Sequence, residues 1–100
     1  MSLQTFSQTV VGLVRRDTPD LTQRQMALLL TIYLTPEAQT IRGLSHHLAV
    51  SKPSVSRALD RLTEMGLVMR RTDPLDRRSV LVQRTASGQA YMSELERLAA

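Results

Sequence analysis

The stretch that decides the fold is residues 51–66, SKPSVSRALDRLTEMG. Ser51 is a natural helix N-cap, with Lys52, Pro53 and Ser54 in the first turn, where proline is tolerated because those N–H groups have no helical partner. Val55, Ala58, Leu59 and Leu62 recur at the α-helical period, and Gly66 after Met65 fits a left-handed C-terminal cap. The spacing predicts a helix over 51–65 with one buried stripe. With Val55 as the inward direction and about 100° per residue, Pro53 and Arg57 fall nearly opposite, flanked by Ser54 and Arg61. Lys52 and Ser56 sit at the edges of this outward face. Small residues come early and arginines follow a turn apart, as a helix needs if it is to enter a DNA major groove closely and then reach bases or phosphates. Asp60 and Glu64 share the face, so from the helix alone a solvated surface and a DNA-reading one are both open.

Working outward, Leu44 and Leu48 at i, i+4 predict a brief helix over 42–49, joined to the next by a tight connection at Val50-Ser51. Thr40-Ile41 is too short to assign by itself. Downstream, 67–72 and 79–84 read as strands around the polar turn Asp73-Pro74-Leu75-Asp76-Arg77-Arg78. Two helices, a tight turn, a glycine stop and a β-hairpin make a winged helix-turn-helix, mainly α with a small β wing. Arg70, Arg71, Arg77, Arg78 and Arg84 concentrate in that hairpin, and narrow minor grooves attract arginine. Helix face and hairpin together favour nucleic-acid binding over a merely solvated surface.

Three more helices complete the chain. Over 2–16, Leu3, Phe6, Val10, Leu13 and Val14 form a stripe that can bury against its own domain or a partner subunit. Ser2 can cap this helix, and Asp17-Thr18-Pro19-Asp20 stops it. Over 22–35, Thr22 and Gln25 have capping-box spacing, Leu21 and Met26 can form a hydrophobic staple, and the run Met26–Leu34 is apolar nearly all round, as in a central helix. Over 85–99, Thr85 caps a helix with Tyr91, Leu95 and Leu98 on one side.

One hundred residues bound this to a single domain, and 42% hydrophobic content is enough for a packed core. The net charge of +4 is unevenly spread: residues 40–84 hold nine basic against four acidic residues, and twelve of the thirteen basic residues are arginine. Arginine's planar fork suits phosphate and guanine better than lysine's point charge. The absence of cysteine excludes disulfides, thiolate zinc sites and thiol redox chemistry. No apolar run can span a bilayer, and no secretory signal is expected at the N-terminus. His46 and His47 point about 100° apart on a helix and make no ligand pair. Met26, Met65, Met69 and Met92 read as core or interface filler, and Tyr33 and Tyr91 as core aromatics with polar tips. Ser45, Ser51, Ser54 and Ser56 lack an acid–base triad, and there is no glycine-rich phosphate loop. No enzyme, metal or cofactor is expected.

The segment Ile41-Arg42-Gly43-Leu44-Ser45-His46-His47-Leu48-Ala49-Val50-Ser51-Lys52-Pro53-Ser54-Val55-Ser56-Arg57 resembles the helix-turn-helix of the MarR (multiple-antibiotic-resistance regulator) transcription factors. Leu59-Asp60-Arg61-Leu62-Thr63-Glu64-Met65-Gly66-Leu67-Val68 continues the likeness. Asp73-Pro74-Leu75-Asp76-Arg77-Arg78-Ser79-Val80-Leu81-Val82 is similar to the family's wing, and Thr85-Ala86-Ser87-Gly88 to the start of the helix after it. The resemblance covers roughly residues 21–95. It implies a cytoplasmic, nucleoid-associated prokaryotic regulator, a repressor by expectation. Such a protein would be a homodimer on double-stranded, pseudo-palindromic DNA, with 1–16 and 86–100 as dimerisation helices. Carried over by position, Pro53, Ser54, Ser56 and Arg57 face bases, Lys52 and Arg61 meet phosphate, and Arg77 is the wing-tip arginine. Asp76 braces the wing by pairing with Arg78 or another arginine, and Arg70, Arg71 and Arg78 complete the wing's contribution. The family's effector pocket lies between dimerisation helices and DNA-binding lobe; the residues here add no support for a small-molecule effector. Arg42 departs from a capping Ser or Thr, and Ala49 from a glycine. A winged-helix protein-interaction module and a non-specific architectural DNA-binding protein are the alternatives on the same fold.

Overall fold

Local capping chemistry sets most of the helix boundaries. In the computed structural model, which describes residues 1–16 and 19–100, the elements run α1 (Leu3–Val14), α2 (Gln23–Leu34), β1 (Gln39–Thr40), α3 (Ile41–Leu48), α4 (Lys52–Glu64), β2 (Val68–Asp73), β3 (Asp76–Arg84) and α5 (Ala86–Ala99). The capping box forms: Gln25 N donates to Thr22 Oγ1 at 3.1 Å and Thr22 N to Gln25 Oε1 at 2.9 Å. Ser51 caps α4, accepting from Ser54 N at 3.3 Å. At the far end Gly66 takes φ +73°, and the N–H groups of Gly66 and Leu67 donate to the carbonyls of Thr63 and Leu62. That pair of reversed bonds is the Schellman motif.

Four expectations shift. The first helix ends at Val14 with Arg15 as its C-cap rather than at residue 16, while Asp17 and Thr18 of the expected stop lie outside the described residues. The third helix starts one residue early, because Thr40 takes the capping role and accepts from Gly43 N at 3.0 Å. The short segment before it pairs as β1, with Gln39 opposite Val82 and Thr40 opposite Leu81, making a three-stranded antiparallel sheet in the order β1-β3-β2. The six-residue polar turn closes down to Pro74-Leu75, because β2 reaches Asp73 and β3 begins at Asp76. Pairing then steps from Asp73–Asp76 to Thr72–Val80, so Arg77, Arg78 and Ser79 bulge out of the ladder.

The core lies under the helix-turn-helix. All four residues of the α4 stripe, Val55, Ala58, Leu59 and Leu62, are buried, against Leu28, Leu29 and Ile32 of α2, Leu44 of α3 and Val68 and Val82 of the sheet. Met92 joins this core, but Met69 is 47% exposed and lies outside it, because its strand turns that side to solvent. Ala49 ends α3 in the left-handed region at φ 55°, its N–H and that of Val50 donating to the carbonyls of His46 and Ser45. An L-residue pays about 1–2 kcal/mol for that conformation.

One tyrosine ties the root of the hairpin. Tyr33 Oη donates to the Leu67 carbonyl at 2.6 Å and accepts from Thr85 N at 3.0 Å, joining the start of β2 to the end of β3. Thr85 Oγ1 donates to the Gly66 carbonyl at 2.6 Å while accepting from Gly88 N to cap α5. Gly88 is buried there, and a Cβ on it would overlap both Tyr33 Oη and the Leu67 carbonyl oxygen. Arg84 lies over the Tyr33 ring at 5.7 Å and donates to the carbonyls of Ile32 (3.2 Å) and Thr35 (2.7 Å), capping the C-terminus of α2.

The first helix is built differently. It buries no residue; it lies on α5, where Gly12 admits the Leu98 side chain, Gln8 Nε2 donates to the carbonyls of Leu98 and Ala100, and Arg16 pairs with Glu94. Leu3, Phe6, Val10, Val11 and Val14 stay exposed. Among the described residues no helix is long and apolar enough to cross a membrane.

Candidate nucleic-acid interface

The outward face of α4 is presented as its period requires. Lys52, Pro53 and Arg57 are exposed, Ser54, Ser56 and Arg61 half-buried. Arg57 Nη2 donates to Ser54 Oγ at 3.3 Å, and Ser54 shares its hydroxyl with Ser51 at 3.0 Å, so the first turn holds the guanidinium against the helix. Arg61 lies 3.4 Å from Glu64 on the same face.

The second part of the surface is the wing. Arg71, Arg77 and Arg78 are exposed, the last two on the bulge. Asp76 does not brace this bulge through a guanidinium. It has no ion-pair partner among the described residues; instead its Oδ1 accepts from Arg78 N at 3.1 Å and its Oδ2 from the Ser79 hydroxyl at 3.2 Å. The bulge itself causes the difference: it curls the Arg78 N–H back onto the preceding carboxylate and leaves the Arg78 side chain without that partner.

The structure separates the hairpin's arginines into two groups. Arg70, half-buried, donates to Asp60 Oδ1 at 2.6 Å, forming a strut from β2 to α4. Arg84 is committed to α2, as described above. Lys52, Arg57, Arg71, Arg77 and Arg78 have no acidic partner among the described residues. An unpaired guanidinium on the surface keeps its full capacity for a phosphate or a base edge.

Between the N-terminus of α2, the α3–α4 turn and the outer face of α4 lies an open groove of about 780 Å³, lined by Thr22, Arg24, Ala49, Ser54 and Arg57 among others. Arg24 was not singled out from the sequence. A faint signal existed: the first turn of α2 holds no acidic residue and carries this arginine instead, against the usual preference for acids at the positive end of a helix. His46 and His47 are both exposed on α3.

A tight two-helix turn, a buried stripe beneath a basic outer face, and a bulged hairpin alongside define a winged helix-turn-helix protein. Residues 21–80 match the model of the MarR family, and the chain belongs to that family. Its fold is similar to wild-type MarR (apo form) from E. coli, with a TM-score of 0.75, 29% identity and coverage of 97% of this chain and 67% of that one. It is similar also to the transcriptional regulator Tm0710 from Thermotoga maritima, with a TM-score of 0.72, 28% identity and coverage of 79% of this chain and 55% of that one. The transcriptional regulator BldR from Sulfolobus solfataricus gives a TM-score of 0.69 at 27% identity, over 78% of this chain and 55% of that one. Against the last two, the matched chain spans little more than half of the relative's length.

Proposed function

We propose that the protein is a transcriptional regulator that binds double-stranded DNA sequence-specifically, as a homodimer on a pseudo-palindromic operator and with repression as its output. The observation that carries this reading is the set of five unpaired cations, Lys52, Arg57, Arg71, Arg77 and Arg78, on the two elements that a winged helix offers to a duplex. Pro53, Ser54, Ser56 and Arg57 face base edges from α4, and Lys52, Arg61 and Arg24 meet phosphates on either side of the groove. Arg71, Arg77 and Arg78 follow the minor groove from the wing, with Asp76 shaping the bulge and Arg70 holding the wing to α4. The whole chain serves as one DNA-binding domain, with α1 and α5 supplying the contacts between protomers. The exposed apolar face of α1 supports that pairing.

The test is selection from a random duplex pool followed by titration at several salt concentrations. Recovered sites should show half-sites about 10–10.5 base pairs apart. Affinity should fall about a thousandfold or more from low to moderate salt, since many phosphates are neutralised. Arg57→Ala should relax preference at one base per half-site, whereas Arg77→Ala should weaken binding most on A·T-rich flanks. Equal losses on every sequence for both variants would remove the assigned roles, and failure to bind any duplex at low salt would remove the reading.

A further inference from the structure

The extreme tip of the wing is apolar. Leu75 is 95% exposed, the highest value among the large hydrophobic residues, and it follows Pro74 in the two-residue connection between β2 and β3. A scattered surface leucine ordinarily calls for no explanation. This one differs in setting. Turns of this kind favour Gly, Pro, Asn, Asp or Ser, so Pro74 suits its place, yet beside it a leucine occupies the point that a duplex would meet first.

The tip is also stiff, and the two carboxylates that flank it are tied to its own turn. Pro74 fixes its own backbone, and Asp73 Oδ1 accepts from Leu75 N at 2.9 Å, an Asx-turn that sets the direction of the leucine. Asp76 spends both oxygens on Arg78 N and Ser79 Oγ. Each carboxylate that flanks the tip therefore accepts from its own turn, while the neighbouring Arg71, Arg77 and Arg78 carry no acidic partner among the described residues. A preorganised apolar point set among free guanidinium groups matches one occupant, the narrow groove of a polyanionic duplex. The charges hold the phosphate walls, and the side chain meets the sugar and base edges between them.

We propose that Leu75, backed by Pro74, is a wedge that opens a base step in the minor groove and so selects flexible sites. Apolar side chains delivered there partly unstack a step and bend the duplex, and pyrimidine–purine steps such as TA yield most readily. The wedge gives the wing a preference for an easily unstacked step, distinct from the A·T preference that its arginines draw from potential and groove width. It rests on the DNA-binding reading above and adds a deformation of the DNA to it.

The experiment uses the full chain and a duplex recovered from the random pool, with aminopurine placed at successive positions under the wing. Wild-type protein should raise aminopurine emission at one step on each flank, and that step should be pyrimidine–purine. Leu75→Ala should abolish the rise and lower affinity for that duplex roughly tenfold, with an unchanged salt slope because the phosphate contacts persist. Leu75→Met should keep the rise. Binding by wild type with no emission change at any step overturns the wedge and leaves the DNA-binding reading standing, whether or not Leu75→Ala loses affinity. If no duplex is recovered at all, both readings fall.

Discussion

The two ends of the β2–β3 hairpin carry the same amino acid and differ in what it meets. At the root, Arg84 is held by two carbonyls of α2 and the face of Tyr33, whose hydroxyl joins both strands. Toward the tip, Arg77 and Arg78 bulge from the ladder with no acidic partner among the described residues, and Leu75 stands almost wholly in solvent. One end is fully bonded to its own protein; the other is shaped but left unbonded. A run of arginines in a sequence therefore does not measure a binding surface. What counts is which of them the fold leaves unused.

The largest blow to the bonded end is Gly88→Ala, since the added Cβ has nowhere to go but into Tyr33 Oη and a backbone carbonyl. A loss of about 3 kcal/mol or more is expected by urea unfolding; a loss under about 1 kcal/mol would mean that the root is looser than it looks. Tyr33→Phe should cost about 2 kcal/mol, because it leaves the Leu67 carbonyl and the Thr85 N–H without their shared partner. Amide exchange at Thr85 should quicken with it.

Paired substitutions sharpen the contrast between the ends. Arg84→Ala should lower stability by about 1 kcal/mol, through the lost caps on α2. Arg77→Ala should leave stability within about 0.5 kcal/mol of wild type while weakening duplex binding. Thermal unfolding and anisotropy on the same samples would show it, and equal stability losses from the two arginines would collapse the distinction.

The smallest effect asks how far the bonded end extends along α5. Burial raises the pKa of Tyr91 above its ordinary value, with Arg16 opposing the shift and Asp20 adding to it. The unfolded chain therefore ionises first as pH climbs past about 10. The resulting stabilisation is complete below that pH and is lost as pH rises toward the folded value. Tyr91→Phe should flatten this alkaline decline in the urea midpoint; an unchanged decline would place Tyr91 in a wetter setting.

Much of this was legible in sequence where the governing interaction is local. The stripe Val55, Ala58, Leu59 and Leu62, the caps at Thr22, Ser51 and Thr85, and the stop at Gly66 all act within a turn or two of chain, so spacing alone reveals them. The strand Gln39–Thr40 escaped because its only signature is a partner, Val82 and Leu81, on a distant part of the chain. The split among the arginines escaped for the same reason. The roles of Arg70 and Arg84 depend on Asp60 and on the α2 carbonyls, and no local rule names a partner ten or fifty residues away. The family resemblance implies an ion-pair brace at Asp76, whereas the bulge gives its carboxylate backbone and hydroxyl donors instead.

Under the homodimer reading, the apolar face of α1 ties folding to the amount of protein present. With Leu3 at 85%, Phe6 at 51% and Val14 at 67% exposure, a lone chain gains little from that helix beyond its seat on α5. A second copy that covers the face adds its binding free energy to the folded state by mass action, so the unfolding midpoint should climb with protein concentration. Under the homodimer reading, synthesis level then sets both how much regulator exists and what fraction of it is competent. Dilution alone would release the operator.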